Sequence, residues 1–149
     1  MRLNPLSEKT GEVQTVHAEI TLKNVIDEGK AREGLIKTED VRTATVQTVV
    51  DTGAITLVIN EELCEKLGLA ILKERNVLVA NGQYVKCKET EPVSVYCKDR
   101  SSSLNAVVIP GAKKILLGVI PLEAMDLMVN PVSQELVGVH GDDDVILAL

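Results

Sequence analysis

The sequence is almost without aromatic residues: its 149 positions include two Tyr, no Phe and no Trp. A core must therefore be built from aliphatic side chains, and the β-branched ones among them favour strands. Long hydrophobic runs are also missing, because every apolar run is far shorter than a bilayer-spanning segment. We expect a soluble chain with one sizeable core, too short for two full domains.

Basic clusters and cysteine frameworks are lacking as well. The formal net charge is −6, and the scattered Lys and Arg residues argue against a nucleic acid partner. Cys64, Cys87 and Cys97 form an odd set without metal-ligand spacing, and the sequence does not open on an apolar signal segment. We expect buried thiols, a cytoplasmic location, no membrane partner, no metal and no cofactor.

Two further groups of polar residues carry little chemistry. His17 and His140 are far apart in sequence and are interpreted as surface or strand histidines. The run at residues 141–144 lacks the alternating ligands of a calcium loop and is interpreted as a solvated turn. Glycine-rich phosphate loops are absent.

The pattern along the chain predicts a loose lead-in at residues 1–12 and a single domain at residues 13–149. Residues 24–40 are charged and contain two glycines, which favours a long exposed hairpin or loop. Alternating or short apolar segments predict strands. The predicted strands are residues 13–22, 41–50, 56–59, 76–80, 84–88, 92–97, 104–109, 115–119, 136–139 and 145–149.

Local signals place turns and helices between these strands. Asn60 is a good N-cap for a helix over residues 61–67, and Gly68 follows the end of that helix. A second short helix is predicted from Pro121 to residue 126. Asn81-Gly82 predicts a two-residue hairpin turn because both residues tolerate positive φ, and polar turns are predicted at 98–103 and 141–144.

Asp51 is the outstanding candidate for chemistry. It directly follows the apolar pair Val49-Val50, so its carboxylate is expected to lose hydration, which raises the cost of ionisation. Thr52 can hydrogen-bond the backbone or a facing copy of itself, and Gly53 permits a tight turn. The alternative is an ordinary turn Asp that caps a backbone N–H.

The segment Asp51-Thr52-Gly53-Ala54 resembles the active-site loop of retropepsins and their cellular relatives. Three further features resemble that family in the same order: the strand 56–59 followed by a helix, the hairpin around Asn81-Gly82 in the position of the flap, and the Gly-containing apolar strand 115–119 followed by a helix. Together these features cover roughly residues 41–130.

The resemblance implies a mostly β, closed acid-protease barrel with one or two short helices. It implies Asp51, Thr52 and Gly53 as catalytic residues. It also implies a flap and substrate pocket formed by Ala54, Ala80, Asn81, Gly82, Gln83 and Leu117. The flap has a single glycine where retroviral flaps are glycine-rich.

Aspartic proteolysis needs two carboxylates that share one proton, and the chain contains one Asp-Thr-Gly. A homodimer that pairs two copies of Asp51 is therefore expected, with a peptide or protein as substrate. The apolar residues 145–149 either join that dimer interface or pack on their own core. Two alternatives to an endopeptidase remain open: a module that binds extended peptides or a protein partner without turnover, and a structural β domain.

Overall fold

The computed structural model describes residues 15–148, so the predicted lead-in at residues 1–12 lies outside the described residues. The elements in chain order are β1 (Val16–Asn24), α1 (Val25–Arg32), a 3-10 turn (Thr38–Asp40), β2 (Thr43–Val50), β3 (Leu57–Ile59), α2 (Glu61–Leu67), β4 (Ile71–Leu78), β5 (Tyr84–Cys97), β6 (Arg100–Val108), β7 (Ile115–Leu117), α3 (Val119–Ala124), β8 (Leu127–Asn130) and β9 (Glu135–Gly138).

Six strands close into a barrel in the order β1-β2-β7-β3-β6-β5, and β5 pairs with β1 to complete the circle. The β2–β7 and β3–β6 pairs are parallel, and the other pairs in the barrel are antiparallel. β4 pairs with β5 alone, and β8 and β9 form a separate hairpin. The predicted mostly β, closed acid-protease barrel is confirmed.

The barrel interior is aliphatic, as the shortage of aromatic residues requires. Its largest fully buried apolar side chains are Ile20, Leu22, Leu57, Ile59, Leu67, Leu117, Met125, Val93, Val95 and Val108. The three cysteines are free and buried, which agrees with their interpretation as small apolar residues. Burial raises the pKa of each thiol, because a low-dielectric surrounding disfavours the thiolate.

The helix α2 has the ends that the sequence predicts. The Asn60 side chain accepts a hydrogen bond from Leu63 N at 2.8 Å, and Gly68 ends the helix in the left-handed conformation. Gly68 is also packed so tightly that an added Cβ would lie 1.9 Å from an Arg42 guanidinium nitrogen. This helix is therefore fixed both by local caps and by its surroundings.

The prediction of an exposed hairpin or loop at residues 24–40 was wrong for residues 24–32, whereas residues 33–37 form a largely exposed loop. Residues 25–32 form α1, a third short helix, with Asn24 as its N-cap. Long-range contacts stabilise it: Asp27 accepts two hydrogen bonds from the Arg42 side chain, and Glu28 accepts hydrogen bonds from Ser94 and Tyr96. These partners are distant in sequence, whereas the Asn24 cap and the acidic residues of the first turn were local signals of the helix that the prediction missed.

We call β4, the loop 79–83 and residues 84–90 the flap hairpin. Its tip is a three-residue loop rather than the predicted two-residue turn, because Val79 and Gln83 form the last backbone pair. Gly82 alone has positive φ, whereas positive φ was predicted for Asn81 as well. A type I turn followed by a left-handed glycine explains this geometry. Asn81 Oδ1 accepts a hydrogen bond from Gln83 N at 2.9 Å and stabilises the tip.

Several other boundaries differ from the predicted ones. β5 is continuous through residues 84–97, and the turn before β6 has two residues rather than six, since Cys97 pairs with Arg100. The helix α3 begins two residues before Pro121, after Gly118. Residues 144–148 form no strand because no strand of the described chain pairs with them, and Ile146 and Leu147 are about four-fifths exposed. Packing of this tail on its own core is therefore wrong for residues 146–148.

Two buried charged side chains, Arg100 and Asp126, form hydrogen bonds with the backbone of the segment before this tail. The Arg100 guanidinium donates to the carbonyls of residues 125, 126, 141 and 143 at 2.9–3.1 Å. The Asp126 carboxylate contacts His140 Nδ1 at 2.8 Å and accepts a hydrogen bond from Val145 N at 3.1 Å. We call these three side chains, Arg100, Asp126 and His140, the C-terminal cluster. His140 therefore has an acidic partner that its sequence neighbours do not reveal.

Candidate active site

Asp51 lies directly after β2, at the point where β2 runs parallel to β7. Its backbone N donates to Leu117 O at 3.0 Å, which continues the β2–β7 pairing by one residue. The chain then turns tightly, because Gly53 N donates to Asp51 Oδ1 at 2.9 Å and Ala54 N donates to Asp51 O at 3.0 Å. We call residues 51–56 the Asp51 loop.

The start of α3 holds the Asp51 loop from the other side. Gly118 N donates to Thr56 O, Val119 N to Ala54 O and Ile120 N to Ile55 O, at 3.0, 3.0 and 2.8 Å. A Cβ at Gly118 would lie 2.5 Å from Thr56 O and 2.6 Å from Ala54 O, closer than side chains tolerate. Glycine is therefore required here by close backbone approach, and the loop is fixed at both ends.

The Asp51 carboxylate is partly accessible, and no charged side chain of the described residues pairs with it. Asp51 is half-buried, while Thr52 and Gly53 are exposed. In the part of the chain that the structure describes, no Lys, Arg or His side chain forms an ion pair with Asp51. We expected the apolar pair Val49-Val50 to bring the Asp51 carboxylate into the interior. Val50 is indeed buried, but the carboxylate that follows it is only half-buried.

The structure brings only some of the predicted site residues together. Asp51, Thr52, Gly53 and Ala54 share one loop, and Ala80, Asn81, Gly82 and Gln83 are exposed at the tip of the flap hairpin. Within residues 15–148, no hydrogen bond or ion pair joins the flap tip to the Asp51 loop. The tip is therefore free to contact another molecule.

Leu117 is a correction to the predicted pocket. Its side chain is fully buried in the core, because it faces the barrel interior as the last residue of β7. It supports Asp51 through its backbone carbonyl and cannot contact a substrate in this arrangement. Two exposed residues were missed instead: Ile55, 70% exposed, and Ile120, 50% exposed, which adjoin each other beside Asp51. The apolar residue directly after the Asp51-Thr52-Gly53-Ala54 motif was the available signal.

Two clefts in the described residues lie away from the Asp51 loop. A cleft of about 350 Å³ lies beside α2 and reaches Ile71, Lys88 and Val108, and a smaller one of about 190 Å³ lies between α2 and Ile115. Neither cleft includes Asp51. No group of three or more His, Cys, Asp or Glu side chains within residues 15–148 could hold a metal ion.

A closed barrel with a short Asp-Thr-Gly loop at a strand end defines an acid-protease-like domain. A family model described as "gag-polyprotein putative aspartyl protease" matches residues 38–124, more than half of the chain. The chain belongs to this family, and its predicted kinship with retropepsin-like aspartic proteases is confirmed. The matched range contains the Asp51 loop, the flap hairpin and α3, whereas β1, α1, β8 and β9 lie outside it.

No curated protein matches the sequence. Among the helices in residues 15–148, none has the length and apolar character needed to cross a membrane.

Proposed function

We propose that the protein is a homodimeric aspartic endopeptidase in which two copies of Asp51 form the catalytic pair. The observation that carries this proposal is the Asp51 loop, which lies inside the family match and is held by backbone hydrogen bonds, yet presents a partly accessible carboxylate that no cationic side chain of residues 15–148 pairs with. A carboxylate with this surrounding is available to pair with a second one across a two-fold axis.

The chemistry follows from two carboxylates that share a proton. One carboxylate removes a proton from a bound water, and the other, protonated, donates a hydrogen bond to the scissile carbonyl. No covalent intermediate and no metal are needed. Thr52 and Gly53 are exposed beside Asp51, which supports a role for Thr52 in bracing the facing loop.

The substrate is proposed to be an extended peptide that lies between the Asp51 loops and the flap hairpins. Ala80, Asn81, Gly82 and Gln83 are exposed, so their backbone groups can pair with an added strand. Ile55 and Ile120 add exposed apolar surface beside the loop. This surface supports the proposal that part of the peptide is apolar.

A cytoplasmic location belongs to the same proposal. The three cysteines are unpaired and buried, which suits a reducing compartment. Cell fractionation tests this location directly, and recovery outside the cytoplasm would contradict it.

The decisive experiment is cleavage of a diverse peptide mixture from acidic to neutral pH by the unmodified protein, Asp51→Asn and Asp142→Asn. Asp142 is an exposed carboxylate with no described partner among residues 15–148, so its variant is the matched control. We expect cleavage with a bell-shaped pH dependence, retained by Asp142→Asn and reduced at least about a thousandfold by Asp51→Asn.

The oligomeric state is measured in parallel by sedimentation. Cleavage by a strict monomer would contradict the shared-pair mechanism. If all three proteins are dimers and none cleaves any peptide, the alternative of a peptide-binding module without turnover replaces the proposal.

A further inference from the structure

The flap hairpin joins the barrel at an irregularity in β5. Residues up to Thr90 pair with β4, and residues from Pro92 onward continue the pairing with β6 inside the barrel. The register with β6 shifts between Glu89 and Pro92. Bulges of this kind bend a strand and change its direction, so the orientation of the flap hairpin is set here.

Side chains of buried and half-buried residues fix this bulge. Thr90 is fully buried, and its hydroxyl accepts a hydrogen bond from Ala106 N at 3.0 Å and donates to Glu91 O at 2.6 Å. Asn105 Nδ2 donates to Thr90 O at 2.7 Å. The Asn105 side chain therefore holds the bulge from the neighbouring strand β6.

The same residue contacts the Asp51 loop through its backbone. Thr56 Oγ1, at the end of that loop, donates to Asn105 O at 3.3 Å. The carbonyl of Thr56 in turn accepts a hydrogen bond from Gly118 N. Asn105 is thus hydrogen-bonded on one side to the loop that carries Asp51 and on the other side to the bulge from which the flap hairpin extends.

We propose that Asn105 is a positioning residue that sets the orientation of the flap hairpin relative to the Asp51 loop. This inference rests on the proposed peptidase function, because it assigns the flap hairpin to substrate binding. Without the hydrogen bond from Asn105 to Thr90, the bulge is less constrained and the hairpin closes over a peptide at a greater entropic cost. Substrate binding then weakens while the chemistry at Asp51 is unchanged, so KM rises and kcat stays nearly constant.

Asn105→Asp tests this role, because pH controls whether the new side chain can donate a hydrogen bond to Thr90 O. An ionised carboxylate at this position cannot donate to Thr90 O, whereas a protonated carboxyl can. We expect KM for peptide cleavage to be about tenfold above that of the unmodified protein at neutral pH. This difference should fall to about twofold or less below about pH 4, where the new carboxyl is protonated.

Two variants complete the comparison. Asn105→Leu lacks a donor at every pH, so its KM should remain about tenfold raised across the profile. Ser103→Asp puts a carboxylate on an exposed position of the same strand, and its KM should follow that of the unmodified protein. A KM of Asn105→Asp that does not recover in acid, or a fall in kcat equal to the rise in KM, would overturn the assignment.

Amide hydrogen exchange tests the same contact without requiring cleavage. In Asn105→Asp at neutral pH, exchange in residues 71–91 should be about tenfold faster than in the unmodified protein, while the paired strands β1 and β2 remain as protected as before. Unchanged exchange in residues 71–91 would refute the positioning role. If the unmodified protein cleaves nothing, the peptidase proposal fails, and the exchange result alone decides whether Asn105 orients the hairpin.

Discussion

Asp51 differs sharply from Asp27 and Asp126, the two buried carboxylates of the chain that the structure describes. Asp27 and Asp126 are 5% and 6% exposed and both contact cationic side chains. Asp51 is half-buried and, within residues 15–148, has no such contact. Burial with charge compensation identifies a carboxylate that maintains the fold, whereas a rigid backbone around an uncompensated carboxylate identifies one available for chemistry.

The compensated carboxylates show the electrostatic consequence. The hydrogen bond from Arg42 lowers the pKa of Asp27 to about 2, against the opposing effect of burial. The pKa of Asp126 is also lowered, first by its hydrogen bond to His140 and then by Val145 N and by Arg100. Both groups therefore stay ionised to lower pH than an unpaired aspartate would.

Removal of Arg100 should have the largest effect on stability, because Arg100 compensates the charge of the buried Asp126. Its guanidinium is 2% exposed and donates to four backbone carbonyls, and it lies 3.8 Å from the Asp126 carboxylate. Arg100→Met leaves these groups buried without their partner, and the free energy of unfolding should fall by about 3–5 kcal/mol. Chemical denaturation measures this change.

Arg75 offers the matched control for that variant. Its ion pair with Glu89 is on the surface, with the Arg75 side chain 57% exposed. Arg75→Met should therefore lower the free energy of unfolding far less than Arg100→Met does. Equal losses in the two variants would mean that burial of Arg100 does not matter.

Gly118→Ala tests the close backbone packing between the start of α3 and the Asp51 loop. The added methyl group would press on Thr56 O and Ala54 O, and we expect a loss of about 1–3 kcal/mol in the free energy of unfolding. Gly29→Ala is the control, because Gly29 lies inside α1 with its nearest neighbour at an ordinary 3.6 Å. That variant should be neutral or up to about 1 kcal/mol more stable. A fully stable Gly118→Ala would show that the close approach is not needed.

Asp27→Asn tests a buried ion pair with a defined pH dependence. It removes the charge that accepts hydrogen bonds from Arg42 at 2.7 and 2.9 Å, and about 1–2 kcal/mol of stability should be lost near neutral pH. Because the folded-state pKa of Asp27 is lowered from 3.8 to about 2, its contribution is present above pH 3.8 and lost as pH falls through about 2.

The unmodified protein and the Asp27→Asn variant should therefore converge in stability as the solution is acidified toward pH 2. Denaturation curves at several pH values measure this convergence. Asp142→Asn, at an exposed site, should follow the unmodified protein throughout. A constant difference between the unmodified protein and Asp27→Asn down to pH 2 would contradict the role of the ion pair.

Asp51→Asn should have the smallest effect on stability. Asp51 has no charged partner in the described chain, and Asn retains a side-chain oxygen for Gly53 N. At concentrations where both proteins have the same oligomeric state, we expect a change within about 0.5 kcal/mol. A large loss of stability would place Asp51 with the structural carboxylates.

Local chemistry made the barrel and the Asp51 loop predictable. Asn60 and Gly68 cap α2 by their own side chain and backbone, and the alternation in β1 and β2 requires one buried face per strand. The order of the motifs then indicated the family. These features depend on neighbouring residues, so sequence patterns identify them.

The errors have the opposite origin. The helix α1 depends on Arg42, Ser94 and Tyr96, none of which is near it in sequence. Leu117 was assigned to a pocket from the family resemblance, but the β2–β7 pairing turns its side chain into the core. Likewise, no pattern in residues 139–145 indicates that a distant Arg100 holds their carbonyls.

The hydrogen bonds that join the Asp51 loop to residues 117–120 also have a consequence for folding kinetics. Asp51 and Leu117 are hydrogen-bonded although they are roughly sixty positions apart, and contacts of such sequence separation form slowly. A growing chain that has not yet emerged as far as Ile120 lacks the segment that holds the Asp51 loop. The loop around the carboxylate can therefore become ordered only after the chain has been made as far as the start of α3.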